Sequence, residues 1–527
     1  MAQNARSTER QLLIRGARVY DRALDVHRPA VRDVIIEGNR IASVSAPGEM
    51  ADRKAAIAKA VENKALGISI IDGDGKLLIP GLVNAHYHSY DVLSKGRFED
   101  MPFDVWALHS QPAYWGKRSK AELRVRTLLG AMECLRHGIT TIQDMNSLVP
   151  QDEETLDVIL DAYAEVGIRV VFSIAVRDIA ALDIEPFLPP HMPLEVAAIV
   201  GGKPGDAAAD LAFVEAQIKR LDPLLPRLHW ALSPSGPQRC STPLLEGIAE
   251  LSQRYKLPVF THVYETRAQL AKARSHYREH GGSLIRYLSN VGLLTKRTTL
   301  AHSIYITNEE IADIARAGAG VVHNPLANLK LKNGVAPLLS LKRAGINLAL
   351  GCDNCSCSDC QNLFQSMKLL TLLAAGMDSE PTGILACDAV EAATAGGARA
   401  VGLDGMLGDI RPGMIADLAL IDLSDLAYLP FNSAARQLVF SETGRGVQTV
   451  LVDGRVVLKD GCLITVDEST FRDQLVEVMK TNDRDYAQIT ARQKPAIPYL
   501  LEANRRLKNA NLGVNRLMSG DAEKGIG

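Results

Sequence analysis

Long apolar runs are missing from this 527-residue chain. No stretch approaches the ~20 residues that a membrane-spanning helix needs, which excludes a helical membrane protein. Excess charge is missing as well. With 59 Lys+Arg against 61 Asp+Glu the net charge is -2, leaving no global electrostatic case for nucleic acid or an anionic membrane surface as partner. Cysteine is sparse, eight in all, too few for a disulfide scaffold. Met1 to Gln11 is polar and charged, without the apolar core of a secretory signal. Together these absences predict a soluble, cytoplasmic protein with reduced thiols and neither a nucleic-acid nor a membrane partner. What is present is globular material, 47% hydrophobic and 23% charged, long enough for more than one structural unit.

Both ends of the chain read as short strands. Leu12–Ile14, Val34–Ile36 and Ile68–Ile71 are β-rich runs, with a helical excursion between Pro47 and Leu66. A matching set follows near the other end: Leu418–Ile421, Thr449–Val452 and Val456–Leu458. Two strand-rich ends flanking one long middle can close into a single β-domain. From about Leu78 to Leu403, short apolar strands such as Val170–Ser173 and Val259–Thr261 alternate with helical stretches such as Leu211–Leu221 and Ile311–Ala317. That alternation predicts parallel βα units, and its length favours a closed barrel over an open doubly wound sheet. From Phe471 the chain is polar and helical, ending in a flexible-looking Ser519–Gly527.

The sharpest local signal is His86-Tyr87-His88, which leaves the apolar run Leu77–Ala85. Alternate residues of a strand point the same way, so the two imidazoles can face one metal ion. Alone, the pair fits a chance polar exit from a strand equally well. Further candidates end later strands: His262 after Pro258–Thr261, His302 after Thr298–Ala301, His323 after Val321-Val322, and Asp353 after Leu348–Cys352. Barrel enzymes keep their chemistry at the C-terminal strand ends. Singly, each reads as a satisfied polar residue; together they form one convergent set of metal-ligand types. Glu265 follows His262 by about one turn and can shuttle protons beside a metal-bound water. Taken alone, it is more simply a solvated acid at a helix start.

In order along the chain, these residues carry a family likeness. Ile79–His88, Gly96 with Asp100–Trp106, Gly138–Thr141, His262–Thr266, Ala301-His302, His323–Pro337, Ala349–Asn354 and Gly413–Leu418 resemble the motifs of the amidohydrolase superfamily. The likeness is closest to its ATZ/TRZ branch of triazine hydrolases, methylthioadenosine/adenosylhomocysteine deaminases and guanine deaminase relatives. It implies an α/β fold, a (β/α)8 TIM-like barrel with a composite β-sandwich formed by both chain ends. The corresponding divisions are 1–78 and 405–467 for the sandwich, 79–404 for the barrel and 468–527 for a helical extension.

The same resemblance implies one divalent metal per chain, held by His86, His88 and His262 with Asp353 as a weaker fourth ligand and base. Zinc fits this shell, and iron, cobalt or manganese are compatible with it. His302 would polarise the substrate or hold the hydrolytic water, and Glu265 would carry protons. Trp106, Trp115, His323 and Asn328 are candidate contacts for a small-molecule substrate. Dinuclear relatives bridge two metals with a carboxylated lysine on the fourth strand, and Leu228–Ser233 has none. Hydrolytic deamination of a nitrogen-rich heteroaromatic compound is the implied reaction. Hydrolysis of an exocyclic amide, urea or carbamate, chloride displacement, and a non-catalytic metal-bearing assembly protein are the alternatives; a homodimer or homotetramer is expected.

Three departures stand out. Pro112–Trp115 lacks the acid with which nucleoside deaminases of the branch grip ribose. The proline-rich stretch from Ala180 to Asp206 is atypical, and the tail beyond Phe471 is long enough to mediate oligomer contacts. Cys352, Cys355, Cys357 and Cys360 crowd the Asp353 loop. They read as packing and pocket lining rather than a second metal site.

Overall fold

The computed structural model describes residues 10–64, 67–181, 187–202, 204–221, 226–381 and 383–517. The tail Ser519–Gly527, the first nine residues and Pro186 lie outside that set.

Eight parallel strands close into a barrel. The first, Leu82–His88, pairs with Ile139–Asn146, which pairs with Arg169–Val176. The fourth strand is split into Leu228–Trp230 and Ser233–Pro234, and reaches the fifth through a bridge from Leu232 to Val259. Val259–Val263, Thr298–His302, Gly320–His323 and Leu348–Leu350 follow in order. The eighth strand breaks at Gly351-Cys352, and its continuation, Asp353–Asn354, pairs with Tyr87 and His88 to complete the circle. Every strand contributes to an apolar plug beneath the mouth: Val83 and Ala85, Met145, Val171, Ala231, Phe260, Ala301, Val322 and Ala349. The barrel is therefore a packed core and not a pore.

Both chain ends build one nine-stranded sheet. Its centre pairs Lys76–Pro80 antiparallel with Leu418–Asp422, so the segment that enters the barrel is held by a strand that follows it. The sheet curls on itself into a sandwich: the amide of Ile41 donates to the Met414 carbonyl, and that of Gly454 to Ala416. Inside lie Ile14, Val34, Ile36, Leu78, Leu418, Leu420 and Leu451. Asp417, which closes the Gly413–Leu418 turn, fastens this sheet to the barrel. Its carboxylate accepts from the guanidinium of Arg169 at 2.9 and 3.1 Å, and from the Asp453 amide at 2.7 Å. Arg169 opens the third barrel strand and is 1% exposed, so this is a buried, multiply hydrogen-bonded ion pair.

Two helices, Glu468–Gln493 and Ile497–Asn509, form the extension. They lie across their own barrel mouth. Asn504 donates to Asp104, Arg118 to Asp485, and Arg267 to the carbonyls of Leu507 and Ala510. The faces expected to reach a second subunit are thus partly used within the chain. Among the described residues no helix is long and apolar enough to cross a membrane.

Candidate metal centre and active site

At its C-terminal end the first strand changes step. The register shifts between Asn84 and Tyr87, an extra residue that re-aims the strand. Val83 and Ala85 join the apolar plug below the shift, and His86 and His88 hold the inward positions above it. The spacing that predicted one shared face is therefore produced by a strand with a bulge.

Three imidazoles converge. His88 Nδ1 donates to the Met145 carbonyl at 2.6 Å and His262 Nδ1 to the Ser235 carbonyl at 2.5 Å. Those partners fix the tautomers, so both Nε2 atoms carry lone pairs. They face each other at 3.3 Å. Two acceptors at that distance repel unless a cation lies between them. Zn–N bonds of about 2.0–2.1 Å in tetrahedral geometry place two nitrogens about 3.3–3.4 Å apart. His86 has no hydrogen-bond partner on either ring nitrogen although it is fully buried. Burial, reinforced by neighbouring imidazoles, pushes His86 and His262 well below the ordinary histidine pKa, into the neutral form that ligates. Asp353 Oδ1 lies 3.4 Å from His88 Nε2 and 3.6 Å from His86 Nε2. The donor set fits one divalent cation.

Beside it stands the acid–base set. His302 Nε2 is 3.8 Å from both Asp353 Oδ2 and Glu265 Oε2. His302 and Asp353 sit at strand ends with φ of 68° and 62°, and Tyr264, before Glu265, has φ 51°. Left-handed backbone costs a non-glycine residue about 1–3 kcal/mol and gathers at functional sites. Glu265 is 4% exposed, not the solvated acid that its place just before the helix Arg267–His276 suggests. Its amide donates to Gln269 Oε1, and Asn333 donates to its carboxylate at 3.1 Å. Burial pushes its pKa up to about 7, with His302 opposing and Asp353 adding to the rise.

The four candidate substrate contacts separate. Trp106 lines the metal pocket, its indole N–H donating to Ser356 Oγ at 2.8 Å. Asn328 sits behind His302 and accepts from its Nδ1 at 2.8 Å, while His323 is buried next to Asn328. Trp115 stands outside, bonded to the His109 carbonyl, stacked on Tyr486 of the tail and lining a neighbouring polar cavity. Phe103, Gln111, Arg239 and Leu331 line the metal pocket and were not singled out from the sequence. Between these side chains the pocket encloses about 30 Å3. Among the described residues the four loop cysteines join no metal-binding cluster. Cys352, Cys355 and Cys357 are buried, and burial raises each thiol.

The chain is similar to known proteins in sequence and fold. Residues 77–457 match the amidohydrolase family. A 5'-deoxyadenosine deaminase of Methanothermobacter thermautotrophicus is 33% identical over 462 residues, which cover 87% of this chain and 95% of that protein. A 5-methylthioadenosine/S-adenosylhomocysteine deaminase of Pyrococcus furiosus is 31% identical over 421 residues, covering 78% of this chain and 90% of its own. An adenosine deaminase from Xanthomonas campestris, crystallised with bound zinc, superposes with a TM-score of 0.74 at 25% identity, over 90% of this chain and 98% of that one. The atrazine chlorohydrolase of Arthrobacter aurescens TC1, complexed with zinc, gives a TM-score of 0.75 at 22% identity, over 89% and 99%, a likeness of fold.

Proposed function

Because the chain belongs to the amidohydrolase family, we propose that this pocket removes the exocyclic amine of an aminated heteroaromatic ring by hydrolysis, with adenine derivatives as the favoured class. The observation that carries the reading is the meeting of His86, His88 and His262 with Asp353, His302 and Glu265 at one buried point. Deaminase relatives at 31–33% identity over most of the chain support the amine as the group that leaves. Zinc is the cation assigned, one per chain, since the fourth strand offers no lysine to bridge a second.

His86, His88, His262 and Asp353 would hold a divalent cation, which when bound would lower the pKa of water toward ~7 and make a nucleophile available at neutral pH. The protein does the rest. Asp353 accepts a proton from the attacking water. Glu265, with a pKa near neutrality, protonates the ring nitrogen and later carries a proton to the departing amine, which leaves as ammonia. His302, locked by Asn328 with its Nε2 turned inward, holds the attacked carbon's new oxygen in register between the two carboxylates. Pro112–Trp115 brings no carboxylate to the pocket, so recognition rests on the ring and not on a ribose grip from that segment.

The test is direct. Zinc-loaded protein is incubated with 5'-deoxyadenosine, 5'-methylthioadenosine, adenosine and atrazine. Ammonia from the adenine compounds is expected; chloride from atrazine with no ammonia from any of them would overturn the assignment.

A further inference from the structure

The family match ends at residue 457, yet the chain runs on into two helices whose far end returns to the active site. Past the second helix, Ile497–Asn509, the backbone runs beside Arg267, which lies two residues after Glu265. Arg267 donates to three carbonyls of that segment: Leu507 at 3.1 and 3.2 Å, Ala510 at 2.8 Å and Val514 at 3.4 Å. Leu507 packs on Ala268 and Ala271, so the helix that opens after Glu265 also seats the tail by apolar contact.

The tail then reaches a second part of the site. The carbonyl of Arg516 accepts from the Val335 amide at 3.0 Å, and the Arg516 guanidinium donates to the Ile306 carbonyl at 3.2 Å. A Cβ at Gly334, where φ is 109°, would lie 2.5 Å from the Arg516 oxygen, so only glycine lets loop and tail approach this closely. Asn333, one residue earlier, donates to Glu265 Oε1 at 3.1 Å. Its own carbonyl accepts from the Tyr305 hydroxyl at 2.7 Å, and its amide donates to the Asn328 carbonyl at 2.9 Å.

These contacts close a ring. Glu265 leads through Thr266 to Arg267, Arg267 to the tail, the tail to Val335, and Asn333 back to Glu265. A glutamate side chain left free samples several rotamers, and each wrong one carries the acid away from the reacting atoms. The N–H of Asn333 makes Oε1 an acceptor, so Oε2, 3.8 Å from His302 Nε2, is left to bear the mobile proton. Among the described residues none beyond 457 lines the metal pocket, so the tail acts on the reaction at one remove.

We propose that the end of the tail is a positioning element of the active site: held by Arg267, it pins the loop Asn333–Val335 through the Arg516 carbonyl and so aims Asn333 at the carboxyl of Glu265. This rests on Glu265 being the proton carrier. Arg267 and Arg516 are positioning residues and touch no reacting atom.

Arg267→Met removes every side-chain donor to the tail and leaves Glu265 and Asn333 unaltered. In the zinc-loaded protein it should keep a full metal equivalent and the wild-type KM for the best adenine substrate, while kcat for ammonia release falls about 10–100-fold. Arg267→Lys keeps the charge without the fork and should recover part of the loss. In a Glu265→Gln background the same change should cost about twofold at most, because the residue it acts through is already disabled. Should Arg267→Met not fold, Arg516→Ala is read by the same cycle. An unchanged kcat, a loss carried by KM, loss of the metal, or an equal loss in both backgrounds would overturn the proposal. If the wild type releases ammonia from no adenine compound, the deaminase reading fails, and hydrogen exchange decides the role of the tail separately. The Val335 amide should then exchange about tenfold faster in Arg267→Met than in the wild type. Faster exchange confined to residues 507–517 would overturn it.

Discussion

Glu265→Gln separates what the residue does for chemistry from what it costs the fold. The carboxyl is 4% exposed, and burial pushes it from 4.5 to about 7. In the unfolded chain it titrates near its ordinary value. Between about pH 4.5 and 7 the unfolded state therefore gives up a proton that the folded state keeps, and stability falls as pH rises through that window. The deficit is complete above about pH 7. At 1.36 kcal/mol per unit the difference amounts to about 3 kcal/mol. Glutamine never ionises, keeps the hydrogen bond from Asn333, and can donate to the bare Nε2 of His302. Metal-free Glu265→Gln should thus melt above metal-free wild type at pH 8 and level with it near pH 4.5. A chain this long unfolds with about 1 kcal/mol/K of entropy, so the gap should be roughly 3 °C. With zinc restored, the same variant should bind a full equivalent yet lose about 10²–10⁴-fold in ammonia release. Scanning fluorimetry on chelator-treated protein and an ammonia assay read the two effects. A melting difference independent of pH would refute the buried, raised carboxyl. Near-normal turnover by the metallated variant would refute its role as proton carrier.

Further outcomes follow from the same geometry. Elemental analysis should give about one metal equivalent per chain, and His86→Ala should lose it; two tightly held equivalents would contradict the single donor set. Asn328→Ala removes the partner of His302 Nδ1, so metal should remain while kcat drops about 10–100-fold; an unchanged kcat would show that His302 needs no such lock. Arg169→Met strands the buried carboxylate of Asp417 and should lower stability by about 3–5 kcal/mol in urea titration; a loss below 1 kcal/mol would mean that the sheet is not fastened there. Cys357→Ser and Cys360→Ser should leave the metal content intact, and loss of an equivalent in either would reveal a thiolate ligand.

Much of this was written in local patterns. Strand–helix alternation and the histidines at strand ends depend on residues next to one another, so the barrel and the convergence of His86, His88 and His262 were readable from the chain. Glu265 was harder, because the position before a helix is normally wet. Only tertiary cover from Asn333 and the neighbouring loops turns it into a buried acid. Trp115 sits beside Trp106 in sequence, yet a short helix turns it away onto Tyr486, which lies more than three hundred residues later. The tail carried polar helices in its sequence, but its docking site did not show there.

The order in which the chain leaves the ribosome bears on how it must be made. Leu78 lies in the sheet strand that leads into the first barrel strand, yet its ladder partner is Leu420, so roughly 340 residues must be synthesised before the pair can form, which takes about 20–70 s at translation speeds of about 5–20 residues per second. Throughout that interval Lys76–Pro80 presents an open hydrogen-bonding edge and the side chains of Leu77 and Leu78, which end fully buried. An unpaired apolar edge is a template for aggregation. Expression of this protein should therefore depend on slow translation, low temperature or chaperone capacity far more than its stability, once assembled, would suggest.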